Sequence, residues 1–331
     1  MTNRERVAAV LDGRRVDRLP VVEWATWWNL TIERWTSEGI PSLTGSDKLE
    51  TYFGLDPLHQ IWLSNQNENC PQPASHGAGI ICGEADYEAL LENLYTDDLI
   101  QLAVKQALQW KEGHERGDFA VWLTLDGFFW FPRKLLGIEE HLYAFYDQPE
   151  LIHRINRDIT AYYLRCLEKL LPVLRPEFMT FAEDMSYNRG PMISKELFEE
   201  FMQPYYAQLI PLLKSAGVKI LIDTDGDVEP LIPWFQQAGI EGVLPLERQA
   251  GVDVNRIRSH YPDWLMLGGF DKTIMHLGEE AMRAEFERLL PAMKSGRYIP
   301  SVDHQTPPDV SLAQYQTYVA LLQEYAEKAA K

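Results

Sequence analysis

The sequence predicts a (β/α)8 barrel of the TIM type with an N-terminal helical and loop extension, on three observations. From Asp118 onward, short apolar runs alternate with helical patterns. Strand followed by helix, repeated, means parallel pairing with crossovers. Several of the apolar runs end in Asp, Glu or His: TFAEDM (180–185), LIDTDGD (221–227), LPLER (244–248), GGFD (268–271) and PSVDH (300–304). Polar side chains delivered from one end of parallel strands converge on the C-terminal rim of a barrel. Finally, no Gly-rich phosphate fingerprint follows the first strand, which argues against an open, doubly wound dinucleotide sheet.

The elements follow in order. Residues 2–11 read as a helix: Thr2 caps it, Glu5 completes a capping box, and Val7, Val10 and Leu11 share a face. RLPVVE (18–23) is a strand candidate, followed by aromatic residues over 24–35. Residues 47–53 read as helix with Gly54 as its stop. A short apolar run at 58–63 is a further strand, and polar 65–79, with Pro71, Pro73, Gly77 and Gly79, is loop or hairpin. A long amphipathic helix covers 99–115. Strands are then expected at 119–125, 178–182, 218–222, 240–246, 265–267 and 298–302. Helices are expected at 133–136, 141–146, 149–174, 195–216, 228–237, 255–260, 279–294 and 311–329. With 18–23 and 58–63 the strands number eight. The whole chain, 1–331, reads as one domain: a decorated part (1–117) and a regular β/α part (118–331).

Composition narrows the function classes. A 331-residue chain that is 46% hydrophobic builds a large core without staples. The three cysteines, Cys70, Cys82 and Cys166, are odd in number and scattered, so no disulfide framework is expected and a cytoplasmic setting is natural. The first fifteen residues are charged and lack the apolar core of a signal peptide. No stretch approaches the roughly 18–20 apolar residues of a spanning helix. A formal charge of −18 would repel a phosphate backbone, so nucleic acid is not an expected partner.

The strand ends carry the chemistry. Glu183 and Asp184 are adjacent, so one reaches the barrel mouth and the other a supporting loop. Tyr187, Asn188 and Arg189 follow in a loop that can contact substrate. Asp223 and Asp225 can face the same side. Two close carboxylates cannot both ionise cheaply, so one keeps a proton near neutral pH and can act as a general acid. Such a cluster also suits a divalent cation. Asp227 is expected to cap the next helix. Asp126 ends the 119–125 strand, Glu247 follows Pro245-Leu246, and Asp271 follows two glycines, with a helix cap as its alternative role. His304 ends the last strand as an acid/base, a donor or a metal ligand. Trp24, Trp27, Trp28 and Phe128–Phe131 follow early strands, as core or as an apolar substrate wall. Cys70, His76 and Cys82 lack a tight Cys-x-x-Cys pair and make a poor zinc pattern.

With these residues in view, the chain resembles the uroporphyrinogen decarboxylase superfamily, which includes the decarboxylase of haem biosynthesis and corrinoid-linked methyltransferases. The resemblance covers almost the whole chain. It rests on RERVAAVLDGRRVDRLPV (4–21), EDMSYNRGPMISKELFEEFMQPYY (183–206), DTDGDVEPLIPWFQQAGIEGVLPLE (223–247), GGFDKTIM (268–275) and YIPSVDHQTPPDV (298–310). It implies a (β/α)8 barrel and a homodimer, and matches His304 to the decarboxylase's histidine beside the tetrapyrrole. The decarboxylase's N-terminal arginines grip substrate carboxylates. Here the comparable region reads WATWWNLTIERW, with Arg34 its one base. The zinc methyltransferases of the superfamily use a His-x-Cys pair and a later Cys. Asp223-Thr224-Asp225 and Asp303-His304 stand there instead, with no thiolate.

The expectation is therefore a methyltransferase or demethylase that moves a methyl group from a small methoxy or amine compound to a corrinoid acceptor on a partner protein. Its catalytic set is Glu183, Asp223, Asp225 and His304, which are also the ligands should a divalent metal such as zinc bind. Its substrate contacts are Trp24, Trp28, Asp126, Phe129, Tyr187, Arg189, Glu247 and Asp271. The alternatives are a decarboxylase of uroporphyrinogen or another carboxylate, and a non-catalytic small-molecule binder.

Overall fold

Seven parallel strands, hydrogen-bonded in chain order, form one curled sheet in the computed structural model, which describes residues 1–41 and 45–330. They are β1 (Leu58–Trp62), β2 (Ala120–Asp126), β3 (Phe178–Ala182), β4 (Lys219–Asp223), β5 (Gly242–Leu244), β6 (Leu265–Phe270) and β7 (Tyr298–Val302). Every pairing is parallel, and helices cross over between successive strands. This is a TIM-barrel-like α/β arrangement. β2, β3, β6 and β7 are buried along their whole length, as strands covered on both faces must be.

The register levels the strand ends. Asp126 pairs with Ala182, Ala182 with Asp223, and Asp223 with Leu244, while Phe270 pairs with Val302. The residues just beyond, 183–184, 224–225, 247, 271 and 303–304, therefore emerge at one end of the sheet. The helices bury their inner faces in the usual way. Pro149–Leu170 buries Ile152, Ile155, Ile159, Tyr163, Cys166 and Leu167, which recur at helical spacing. Each fully buried apolar side chain of this kind contributes about 1.5–3 kcal/mol. The expected capping box is present: the Thr2 hydroxyl accepts from the Glu5 amide and the Glu5 carboxylate from the Thr2 amide. Gly54 ends its helix at φ 69°. Cys70 and Cys166 are buried thiols, Cys82 is exposed, and all three are free. No helix among the described residues is long and apolar enough to cross a membrane.

Two expectations are corrected. The 195–216 helix is two helices, Lys195–Phe201 and Gln203–Ser215. Pro204 lacks the N–H that would bond back across Met202, and instead fits the first turn of the second helix. The other correction is the eighth strand. Residues 18–24 form no ladder. Pro20 removes one donor, and side chains replace the ladder. Arg18 clasps the Asp56 carboxylate at 2.6 Å through two nitrogens, and the Val21 amide donates to the same carboxylate at 3.0 Å. The Asp56 amide donates to the Val21 carbonyl at 2.7 Å. On the far side, Ser301 of β7 donates to Glu23 at 2.9 Å, and the Trp24 indole to the Val302 carbonyl at 2.8 Å. The segment thus lies between the approach to β1 and the end of β7, tied to both. The backbone ladder itself stays open between them.

Candidate functional site

Glu183 and Asp184 leave β3 in opposite directions, and the structure decides which goes where. Glu183 is fully buried. Its Oε1 accepts from the Phe128 amide at 2.8 Å and its Oε2 from the Phe129 and Trp130 amides at 2.7 and 3.1 Å. The Tyr206 hydroxyl donates to it as well. Gly127 makes this possible, since a Cβ there would fall 1.9 Å from the Glu183 carboxyl carbon. Burial pushes the Glu183 carboxyl up to about 7, with these four donors opposing. Glu183, expected in the catalytic set, anchors the loop after β2 in this structure and does not line the cavity described next. The three amides are the unpaired donors at the start of helix Trp130–Leu136, which a carboxylate satisfies well.

Asp184, at φ 42°, turns the other way, into a cavity of about 280 Å³ at the C-terminal ends of the strands. Asp223, Asp225 and His304 share this cavity with it. Thr224 sets the acids' backbone: its hydroxyl accepts from the Met185 and Ser186 amides at 3.0 and 3.2 Å. Gly226, at φ 82°, lets the chain turn under the Tyr187 backbone, where a Cβ would approach to 2.6 Å. Among the described residues, no donor contacts the Asp223 carboxylate. Burial first, and then the charges of Asp184 and Asp225, raise its pKa well above the ordinary range. Asp225 is pushed up to about 7 by burial, then by Asp184 and Glu247, with Lys272 opposing. Burial also raises Asp184, against the pull of Arg133. His304 is lowered, by burial first and then by Lys272. Its Nε2 lies 3.8 Å from Asp225 Oδ2, too far for a hydrogen bond and suited to a bridging atom between them.

The neighbouring wall is aromatic. Trp24, Trp62 and Trp122 line the cavity, with Gln60 and Gln305 as its amides. Trp24 meets the His304 ring edge-on, centroids 6.2 Å apart. Trp62, Trp122, Gln60 and Gln305 are outside the set expected from sequence, whereas Asp184 is the other member of the pair of which one was expected at the barrel mouth. The signal was present for the strand residues: Gln60 and Trp62 alternate on β1, and Gln60 pairs in register with Trp122. A polar Gln inside an apolar strand marks the inward face.

Other expected residues lie elsewhere. Asp126 is buried against Trp62, Asn65 and Lys134, at 3.2, 3.1 and 2.8 Å, and does not line the cavity. Phe129 is core, packed on His141 and Phe145. Asp271 caps the turn that follows it, accepting from the Thr273 amide at 2.9 Å. Trp28, Tyr187 and Arg189 are exposed and outside the cavity lining. Glu247 stands at the rim, where it accepts from the Gly226 amide at 3.0 Å. Asp303, beside His304, is a buried tie: it accepts from the Arg248 and Lys272 amides at 3.0 and 3.2 Å, joining the ends of β5, β6 and β7. Burial pushes its carboxyl up to about 6.

A resident metal is not supported by this donor set. The thiolates of a soft site are missing, Glu183 is committed to amides, and no group of three or more His, Cys, Asp or Glu among the described residues is arranged to hold an ion.

Residues 134–325 match the family described as Uroporphyrinogen decarboxylase (URO-D). No curated protein matches the chain in sequence. Among solved structures, the chain is similar to a methyltransferase from Methanosarcina mazei, with TM-score 0.64 and 15% identity over 98% of this chain and 99% of that one. At this identity the likeness speaks for the fold alone. A putative vitamin-B12 independent methionine synthase from Listeria monocytogenes aligns more loosely, with TM-score 0.46 and 14% identity over 96% and 97% of the two chains.

Proposed function

Because the chain belongs to the uroporphyrinogen decarboxylase family, we propose that it is an enzyme that takes a methyl group from a small methoxy or amine compound and passes it to a corrinoid acceptor on a partner protein. The observation that carries the reading is the cavity lining: three carboxyls, three indoles and no arginine or lysine among the described residues. A tetrapyrrole that carries many carboxylates would meet repulsion there and no cation to grip it. A compact methylated molecule would meet apolar walls and an acid beside its heteroatom.

A reduced corrinoid supplies, when bound, a nucleophile for a methyl carbon. The residues of this chain do the rest. The indoles hold the donor and exclude water. Asp225, with a pKa of about 7, carries a proton part of the time at neutral pH. It can deliver that proton to a departing oxygen, the kind of assistance that contributes roughly 10²–10⁴-fold. Asp223 and His304 border the same space and orient the donor.

The test is a demethylation assay with reduced cobalamin as acceptor and a panel of methyl ethers and methylated amines. Methylcobalamin and the demethylated product should appear together. Release of CO2 from a carboxylate panel, with no methyl transfer from any donor, would overturn the reading in favour of a decarboxylase.

A further inference from the structure

The candidate cavity has a sign as well as a shape. Asp184, Asp223 and Asp225 line it, and among the described residues its lining includes no lysine or arginine. The two cations nearest the cluster are directed elsewhere. Arg133 donates to the Asp184 carbonyl at 3.1 Å and stacks over Trp130, and the Lys272 ammonium lies 3.8 Å from Asp303. Among the described residues, the acids have no counter-charge inside the space they enclose, and no donor contacts the Asp223 carboxylate.

The walls are an independent observation. The Trp24 N–H is bonded to the Val302 carbonyl and the Trp62 N–H to Asp126, neither of which lines the cavity. Both indoles therefore offer the cavity ring carbon rather than a polar atom. Trp122, stacked on Phe178 with ring centroids 5.4 Å apart, lines the cavity as well. Aromatic faces attract organic cations through the ring quadrupole and repel the strongly hydrated inorganic ones that need oxygen ligands. A neutral ether satisfies the walls and leaves the acids unmatched. A metal ion would match the acids and leave the walls without a role. An N-methylated ammonium matches both.

We infer that the cavity binds a small alkylammonium cation, and that this cation is the methyl donor. The inference rests on the methyl-transfer reading and narrows it. The transfer balances without a proton: the C–N bond breaks, its electron pair stays on nitrogen, the methyl group passes to the nucleophilic acceptor, and a quaternary ammonium leaves as a neutral tertiary amine.

The experiment compares choline with 3,3-dimethylbutan-1-ol, its neutral isostere, by indole fluorescence titration and by thermal shift of the purified chain. Choline should bind at least ten-fold more tightly than the alcohol. Asp223→Asn and the half-exposed Trp62→Ala, both checked for native circular dichroism, should each erase most of that preference. Equal or tighter binding of the alcohol overturns the inference. The companion demethylation assay separates the two readings. Demethylation of neutral ethers without choline binding removes the cation site and leaves methyl transfer standing. Choline binding without demethylation of any donor removes methyl transfer and leaves the cation site.

Discussion

Glu183 and Asp184 differ by one position and one methylene, yet the fold gives them opposite tasks. Glu183 satisfies three buried amides and a buried hydroxyl, and removal of one partner of such a network leaves the others unpaired. Glu183→Ala is expected to lower unfolding free energy by about 3 kcal/mol or more, at 1–3 kcal/mol for each buried group left without a partner. Asp184→Asn removes a charge from a cavity that already has too many, so it should leave stability unchanged or raise it while activity falls. Urea denaturation of both variants checks this, and equal loss of stability would refute the division of labour. The sequence made the pair visible as a strand end but could not choose between its members. The choice depends on a left-handed turn at Asp184 and on a glycine, Gly127, some fifty residues away.

At the scale of elements, the strands that ended in acids were legible because buried parallel strands are short apolar runs with few other readings. The 18–23 run looked the same and is not a strand. Its deciding partner is Asp56, which clasps Arg18 and the Val21 amide, and no local pattern announces a bond across thirty-five positions. Asp56→Ala should therefore cost about 1–3 kcal/mol, the usual loss when a buried group such as the Val21 amide is left without its partner. It should also loosen the segment that presents Trp24 to the cavity. A red shift of the indole emission, together with weaker ligand binding, is the expected signature. Unchanged emission would mean that Trp24 is held by its Val302 bond alone.

For the whole molecule, pH is the revealing variable. Glu23 is buried between the N-terminal segment and β7, held by Ser301 and Tyr315, and burial pushes its carboxyl up to about 8 from 4.5. The folded state therefore binds a proton that the unfolded chain has already lost between those two values. The corresponding stability is full below pH 4.5 and declines as pH rises to about 8. At about 1.4 kcal/mol for each unit, the decline amounts to several kcal/mol. Chemical denaturation from pH 5 to 9 should show this fall in the wild type and a shallower one in Glu23→Gln. Parallel profiles for the two would place the titration elsewhere, with Asp303 the next candidate. Composition and alternation revealed the class of fold, but not that an ionisable group sits in the seam between its first and last elements.

That seam has a consequence for how the protein is born. The bond from Trp24 to Val302 spans 278 positions, and the Leu19 amide donates to the Ala326 carbonyl of the final helix. A ribosome delivers the first of these partners long before the second. Until nearly the whole chain has emerged, residues 18–24 can dock on Asp56 alone, and Trp24 lacks its partner on β7. The ligand cavity is thus the last part of the molecule that can exist, although its first wall is among the first parts made. A nascent chain stalled before β7 can hold most of the sheet but lacks His304 and Gln305 of the site.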